Sequence, residues 1–79
     1  MAMKVSVRLH GILRDRLAPE LKGRTTLNLP EGSSIQSLLD QLRLDGYLHA
    51  SVNEEIVENF DSPLNNGDAV DLFRPSAGG

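Results

Sequence analysis

The chain has 79 residues, of which 39% are apolar and 24% charged, so it is long enough for one folded domain but leaves little room for an enclosed active site. Its net charge of −3 argues against a nucleic-acid partner, because non-specific binding of that kind depends on Lys and Arg neutralising phosphates. No apolar run approaches the roughly 20 residues that cross a bilayer, and the chain has no cysteine. We therefore expect no membrane partner and a cytoplasmic location.

The first two predicted elements are strands. Residues 4–10 alternate between apolar and polar side chains, a period of two that is typical of a half-buried strand. Residues 13–22 contain Pro19 as a breaker and predict a loop with one helical turn. Residues 25–29 are rich in β-branched side chains and predict a second strand. We expect the two strands to pair as an antiparallel hairpin with a long connection.

A helix follows the second strand. Ser33 and Gln36 have the spacing of a capping box, in which each side chain satisfies a backbone N–H at the start of a helix. The next apolar residues lie at the i, i+3, i+4 and i+7 positions of a helix of about ten residues. These residues are Ile35, Leu38, Leu39 and Leu42. We expect them to form part of the core.

The remaining elements are short strands joined by turns. Residues 48–53 predict a third strand, and Ile56 and Val57 a fourth after a tight turn. The sequence Asn65-Asn66-Gly67-Asp68 is a strong turn signal, and residues 69–73 predict the last strand. One helix laid across a mixed sheet of four or five strands buries these apolar stripes together. The predicted fold is therefore an α+β roll.

Conventional catalytic motifs are absent from the sequence. His10 and His49 lie far apart without ligand spacing, and we expect both at the surface or at strand edges. Glu54 and Glu55 are adjacent in a predicted turn, where they would point apart as solvated charges rather than act as an acid–base pair. No glycine pattern typical of a phosphate-binding loop is present.

The C-terminal segment is the most distinctive feature. We predict a folded domain over residues 1–73 and a flexible tail over residues 74–79. Gly78 and Gly79 lack Cβ atoms, so their backbone could pass through a narrow channel. Six extended residues reach roughly 20 Å, enough to enter the active site of another protein. The carboxylate of Gly79 would be a poor electrophile until it is activated, so we expect an ATP-dependent partner.

Nearly the whole chain resembles a known family. The features that carry the resemblance are the strand Val5-Ser6-Val7-Arg8-Leu9 followed by Ile12-Leu13-Arg14, and the leucine-bearing helix. The most specific block combines Val52-Asn53, Pro63-Leu64, Gly67-Asp68 and the terminal Gly78-Gly79 in that order. Together they resemble the β-grasp, ubiquitin-like sulfur carriers of the MoaD/ThiS family. The resemblance is stronger to the molybdopterin synthase branch, because of the long segment between the first two strands.

The resemblance implies a mechanism and a set of partners. An activating enzyme of the MoeB/ThiF type would adenylate Gly79 with ATP and Mg²⁺, and a sulfur donor would convert the acyl-adenylate to a thiocarboxylate. The chain would then deliver sulfur to the large subunit of a molybdopterin synthase, which makes the dithiolene of molybdenum cofactor. In that role the chain is not catalytic alone, and it binds no metal or cofactor itself.

The resemblance also implies which residues matter. Gly79 and Gly78 would enter the chemistry. Partner contacts would come from the residues that precede them, namely Phe73, Arg74, Pro75, Ser76 and Ala77. If Val70 and Leu72 face the core, alternation turns Phe73 outward, although packing over the end of the sheet remains open for that ring. Arg74 would either pair with acidic groups of a partner or remain solvated.

Three other functions remain open at this stage. The chain could be a ThiS-type carrier that supplies a thiazole synthase in thiamine synthesis. It could be a ubiquitin-like modifier, which uses the same adenylated Gly79 but ends in an isopeptide bond. It could also be an interaction domain that takes no part in catalysis.

Overall fold

The computed structural model describes residues 2–44 and 46–74. Within those ranges the chain forms five strands and one α-helix, with two short 3₁₀ helices, Gly11–Arg16 and Pro19–Leu21, between the first two strands. The strands and the helix are, in chain order, β1 (Ala2–Leu9), β2 (Arg24–Pro30), α1 (Ile35–Leu42), β3 (His49–Val52), β4 (Glu55–Val57) and β5 (Ala69–Phe73).

The five strands form a single mixed sheet in the order β2-β1-β5-β3-β4. The central pair, β1 and β5, is parallel, whereas the other three pairings are antiparallel. The predicted hairpin of the first two strands is confirmed, since β1 and β2 pair from Ala2 with Pro30 to Arg8 with Arg24. The predicted α+β class, with one helix on a mixed sheet, is also confirmed.

The core lies between α1 and one face of the sheet. Alternate residues of β1 are buried, as the period of two predicted. They pack in one cluster with three buried residues of α1, Ile35, Leu38 and Leu39, whereas Leu42 is only half-buried. Each fully buried Leu or Ile side chain contributes roughly 1.5–3 kcal/mol relative to exposure. Because the helix covers only this face, Lys4, Ser6 and Arg8 of β1 stay exposed on the other.

The start of α1 differs from the prediction by one residue. The capping box is formed by Ser34 and Ser37, whose hydroxyl oxygens each accept a 3.3 Å bond from the other's backbone N–H. The Ser33 hydroxyl instead donates to the Pro30 carbonyl, and Gln36 donates its side-chain amide to Asp40. The predicted Ser33–Gln36 box is therefore wrong, because Ser33 is used in the preceding turn. The helix has eight residues and ends where Arg43 adopts a left-handed conformation.

The segment between β1 and β2 is more ordered than predicted. Instead of a loop with one helical turn, it contains the two 3₁₀ helices, and Leu13 of the first is buried in the core. Gly23 closes the segment at a φ of 76°, where a Cβ atom would lie 2.7 Å from the carbonyl oxygen of Leu9. Only glycine fits this close approach of two backbones.

The side chain of Asn53 links the β3–β4 turn to the turn at residues 65–68. Asn53 and Glu54 form a two-residue hairpin turn between β3 and β4, with φ values of 52° and 72°. The Asn53 carboxamide accepts a 3.0 Å bond from the Ala69 N–H and donates one of 3.0 Å to the Asp68 carboxylate. Asp68 in turn accepts a bond of 2.8 Å from the N–H of Asn65. The predicted turn at residues 65–68 is present, and its position against β3 is fixed by side chains.

Candidate functional site

The chain leaves the sheet at one end of its central strands. Because β1 and β5 are parallel, their C-terminal ends lie together, so that His10 follows β1 beside Phe73 of β5. The antiparallel strand β2 begins at the same end, where Arg24 pairs with Arg8. We call this the exit end of the sheet, and define it by His10, Arg24 and Phe73. Any segment that continues beyond Arg74 starts there.

Phe73 lies on the sheet face that α1 does not cover. Val70 and Leu72 point into the core and are buried, so alternation turns Asp71 and Phe73 to the other face, as expected. The ring of Phe73 is half-buried and stacks on His49, with centroids 5.6 Å apart and 23° between the planes. The ring of Tyr47 also contacts that histidine, with ring centroids 5.3 Å apart. Phe73 therefore forms part of an aromatic row at the exit end.

Arg74 is the last residue of the described chain. It is half-buried and extends over Gly46, where an added Cβ would lie 2.8 Å from an Arg74 guanidinium nitrogen. It also lines a small surface depression beside Ile12 and Leu44. The sequence predicts partner contacts for Pro75, Ser76 and Ala77 and a part in the chemistry for Gly78 and Gly79. These five residues lie outside the described residues.

A charged cluster occupies the same open face beside Phe73. Arg8 donates two bonds to Asp71, from Nε at 2.7 Å and from a terminal nitrogen at 3.0 Å. Nε2 of His10 lies 3.0 Å from the same carboxylate. Burial alone would raise the pKa of Asp71, but hydrogen bonds and charge from His10 and Arg8 outweigh it, so that the pKa lies below its ordinary value. Asp71 is therefore held as an anion.

Sequence reasoning missed this cluster. The sequence predicts only a surface or strand-edge position for His10 and no role for Asp71. The parallel register of β1 with β5 brings Arg8 opposite Asp71 across 63 residues, and no local motif reveals such a register. Alternation alone could have placed Arg8 and His10 on one face of β1.

The described residues offer no site for a metal ion. Between residues 2–44 and 46–74 no group of three or more His, Cys, Asp or Glu side chains comes together. No helix in the same ranges is long and apolar enough to span a membrane.

A comparison with protein families decides the identity of the fold. The model of the ThiS family matches residues 7–79, which is nearly the whole chain and includes the terminal glycines. The chain belongs to the ThiS family. The mixed sheet with one helix is accordingly the β-grasp, ubiquitin-like fold, and the resemblance to MoaD/ThiS proteins is confirmed.

Solved structures share the fold of this ThiS-family chain at low sequence identity. The HVO 2177 protein of Haloferax volcanii matches with a TM-score of 0.79 and 17% identity, over 99% of this chain and 88% of that one. Small archaeal modifier protein 1 of the same organism matches with a TM-score of 0.74 and 16% identity, over 96% and 99%. A chain in a complex of subunits 1 and 2 of molybdopterin-converting factor from Helicobacter pylori matches at 0.64 and 23%, over 98% and 100%. No curated protein matches the chain in sequence.

The Val-Asn and Gly-Asp pairs of the family pattern have a structural role in this chain. Asn53 of the Val-Asn pair and Asp68 of the Gly-Asp pair are bonded to each other. Their role in this ThiS-family chain is therefore to fix the approach to β5.

Proposed function

We propose that this chain is a sulfur carrier whose Gly79 carboxylate is adenylated and converted to a thiocarboxylate, which then donates sulfur in molybdopterin synthesis. The observation that carries the proposal is the family match, which extends through residue 79. The geometry supports it, because β5 ends at Phe73 at the exit end of the sheet, so that the residues after Arg74 continue from there.

The chemistry follows from the weakness of a carboxylate as an electrophile. Attack of a Gly79 oxygen on the α-phosphorus of ATP releases pyrophosphate and forms a mixed anhydride with AMP. A sulfur nucleophile then attacks the glycyl carbonyl and displaces AMP, which leaves sulfur bonded to that carbon. ATP and Mg²⁺ act in the activating enzyme, of the MoeB/ThiF type, and the carrier contributes the acyl group and its placement.

The carrier's own residues serve recognition. Phe73 presents an aromatic surface at the exit end of the sheet. Aromatic side chains are frequent in the centres of protein interfaces. Arg74 follows in the chain, and its guanidinium group lies over Gly46. We assign both to partner contact, together with Pro75, Ser76 and Ala77. Gly78 admits the backbone to a narrow channel because it lacks a Cβ atom.

The receiving enzyme is assigned to the molybdopterin pathway. The Helicobacter pylori neighbour is held in a complex of two subunits of molybdopterin-converting factor, and a putative subunit 1 from Pyrococcus furiosus has the same fold with a TM-score of 0.66. A large subunit of a molybdopterin synthase is therefore the proposed acceptor. A thiazole synthase is the alternative within the same chemistry.

The experiment that tests this function is intact mass spectrometry. The purified chain is incubated with ATP, Mg²⁺, an activating enzyme of the MoeB/ThiF type and a sulfide source. The expected product is heavier by the mass difference between sulfur and oxygen. Removing Gly79, or adding one residue after it, should abolish the shift while the fold is unchanged, and a shift that persists in both variants contradicts the proposal.

A second candidate function is supported by the small archaeal modifier proteins among the structural neighbours. A modifier would use the same adenylate but transfer the glycyl group to a lysine amine of another protein. The two functions differ in their products. Covalent adducts of the chain on other proteins would favour conjugation, whereas a thiocarboxylate with no adducts favours sulfur transfer.

A further inference from the structure

A basic depression lies at the exit end, between the start of β2 and the first 3₁₀ helix. It has a volume of about 620 Å³ and is open to solvent on one side. Four cationic side chains line it, and they are half of the eight Lys and Arg residues in a chain whose net charge is −3. They are Arg8, Arg14, Lys22 and Arg24.

Of the four cations in this basic depression, only Arg8 has a carboxylate partner within the described chain. None of the residues that line it is acidic. Arg8 is paired with Asp71, but residues 2–44 and 46–74 contain no carboxylate within ion-pair distance of Arg14, Lys22 or Arg24. All three are exposed. Three uncompensated cations beside one another repel, which favours the binding of an anion.

The backbone holds these cations in place. The N–H of Leu9 donates a 2.7 Å bond to the carbonyl of Gly23, which joins β1 to the start of β2. A Cβ on Gly23 would lie 3.0 Å from Cγ of Arg14, so the stem of that arginine crosses the backbone at this point. Arg14 therefore lies against this backbone contact, and Arg24 follows Gly23 directly in the chain.

Charge is distributed unequally along the strands. The basic depression is at the exit end, whereas Glu31 follows β2 at the opposite end, where Glu54 of the β3–β4 turn and Glu55 at the start of β4 also lie. Such an asymmetry orients a protein in the field of a charged partner and raises the rate of productive encounter. Here it would turn the exit end toward an acidic surface.

We propose that the basic depression is a docking surface for a carboxylate-rich segment of the activating enzyme. The proposal deepens the proposed function and rests on it, because the partner is the activating enzyme. The depression adjoins the exit end, so one partner can contact it while it engages the residues that follow Arg74.

The lining favours carboxylates over a single phosphate. The cations are spread around an open depression of about 620 Å³, which matches several separate charges along a peptide better than one compact anion. Arg guanidinium groups bind carboxylates and phosphates alike through two parallel bonds, and Arg8 already binds the Asp71 carboxylate in this way. The net charge of −3 opposes a nucleic-acid partner.

The first test is a titration of the full-length, ¹⁵N-labelled chain by NMR at low salt. The probes are hexaglutamate, inorganic phosphate and a short single-stranded oligonucleotide. We expect hexaglutamate to shift the amides around Arg14 and Arg24 at a lower concentration than phosphate or the oligonucleotide does. The shifts should disappear in Arg14→Gln/Arg24→Gln, which keeps much of each stem. Tighter binding of phosphate or oligonucleotide, or no shift at these amides, overturns the proposal.

The second test is the rate of adenylation by the activating enzyme. Arg24→Glu and Lys4→Glu change the net charge equally, but Lys4 is exposed near the opposite end of β1. We expect Arg24→Glu to lower kcat/KM roughly tenfold, with kcat unchanged and a weaker dependence on salt. Lys4→Glu should have little effect.

The outcomes separate this proposal from the sulfur-carrier function. Equal kcat/KM values for the two charge variants overturn the docking surface and leave the carrier function standing. If no activating enzyme adenylates the wild-type chain, the carrier function fails and with it the identity of this partner. The peptide titration then decides alone whether the depression takes carboxylates.

Discussion

Asn53 and Asp68 are joined by a 3.0 Å hydrogen bond from the carboxamide of one to the carboxylate of the other, across the space between two turns. The same carboxamide accepts a bond from the N–H of Ala69, the first residue of β5. The backbone N–H of Asn53 donates a further bond of 2.8 Å to the carbonyl of Ala69. The start of β5 is thereby fixed to β3, and the line of β5 sets where the chain leaves the sheet.

Replacing Asn53 should destabilise the fold through two separable effects. Asn53→Ala removes two side-chain hydrogen bonds, each worth about 1 kcal/mol, and places alanine at a φ of 52°, which costs about 1 kcal/mol more. We expect a loss of about 3 kcal/mol in the free energy of unfolding, measured by urea denaturation. Asn53→Gly is the control, because glycine tolerates this φ and should lose only the hydrogen-bond part. Equal losses in the two variants would contradict the assignment of strain.

Gly23 should be among the least replaceable glycines. Its φ is 76°, and an added Cβ would lie 2.7 Å from the backbone oxygen of Leu9. Gly11 has a similar φ of 60°, yet nothing lies within 4 Å of its Cβ position. We expect Gly11→Ala to cost about 1 kcal/mol from backbone strain alone, and Gly23→Ala about 3 kcal/mol because the β1–β2 contact must also open. Urea unfolding of the two variants measures the difference, and similar midpoints would contradict it.

Local sequence patterns predicted which strands and helices form better than they predicted the residue at which α1 is capped. The alternation of Val5, Val7 and Leu9, and the helical spacing that begins at Ile35, are confirmed because each follows from one element's own period. The cap was misplaced because Ser33 and Ser34 are both acceptable N-caps by residue type. Only the bond from Ser33 to the Pro30 carbonyl decides between them.

The candidate site was predictable only in part. That Phe73 shares a face with Asp71 follows from the alternation of β5 once its buried residues are known. The pairing of β1 with β5, which sets Arg8 against Asp71 and gathers the basic depression, is a property of the fold. It joins residues too far apart in sequence for any local pattern to reveal. The resemblance to a β-grasp family indicates the fold, but not which side chains of these two strands contact each other.

Asp71 should make the stability of the fold dependent on pH in the acid range. Its pKa is lowered in the folded state, because the bonds from His10 and Arg8 outweigh the effect of burial. The folded carboxylate therefore contributes stability above the unfolded pKa of about 3.9, and that contribution is lost as the pH falls through the lower folded value. Asp71→Asn should cost about 1 kcal/mol at neutral pH and progressively less below about pH 4.

Urea unfolding at a series of pH values measures this difference. Asp61→Asn is the matched control, because Asp61 is exposed and its carboxylate makes no side-chain hydrogen bond to any residue of the described chain. Its stability difference from the wild type should stay near zero throughout. A difference for Asp71→Asn that does not shrink in acid would mean that the lost stability does not come from the ionised carboxylate.

Phe73 should matter more for the contact with the activating enzyme than for the stability of the fold. Its ring is half-buried against His49 and does not belong to the buried core, so Phe73→Ala should unfold at only slightly lower urea concentration. If the exposed part of the ring is the centre of the contact with the activating enzyme, the same variant should lower kcat/KM for adenylation at least about tenfold, as expected for an aromatic interface anchor.

Ile56→Ala is the control for this variant, because it also removes an exposed apolar side chain but on the edge strand β4, three strands from β1 in the sheet order. It should leave adenylation nearly unchanged. A loss of kcat/KM in Phe73→Ala but not in Ile56→Ala identifies Phe73 as a contact with the activating enzyme. A general loss of stability would instead lower the activity of both variants. If Ile56→Ala is impaired as much as Phe73→Ala, the partner contact is not centred on the exit end.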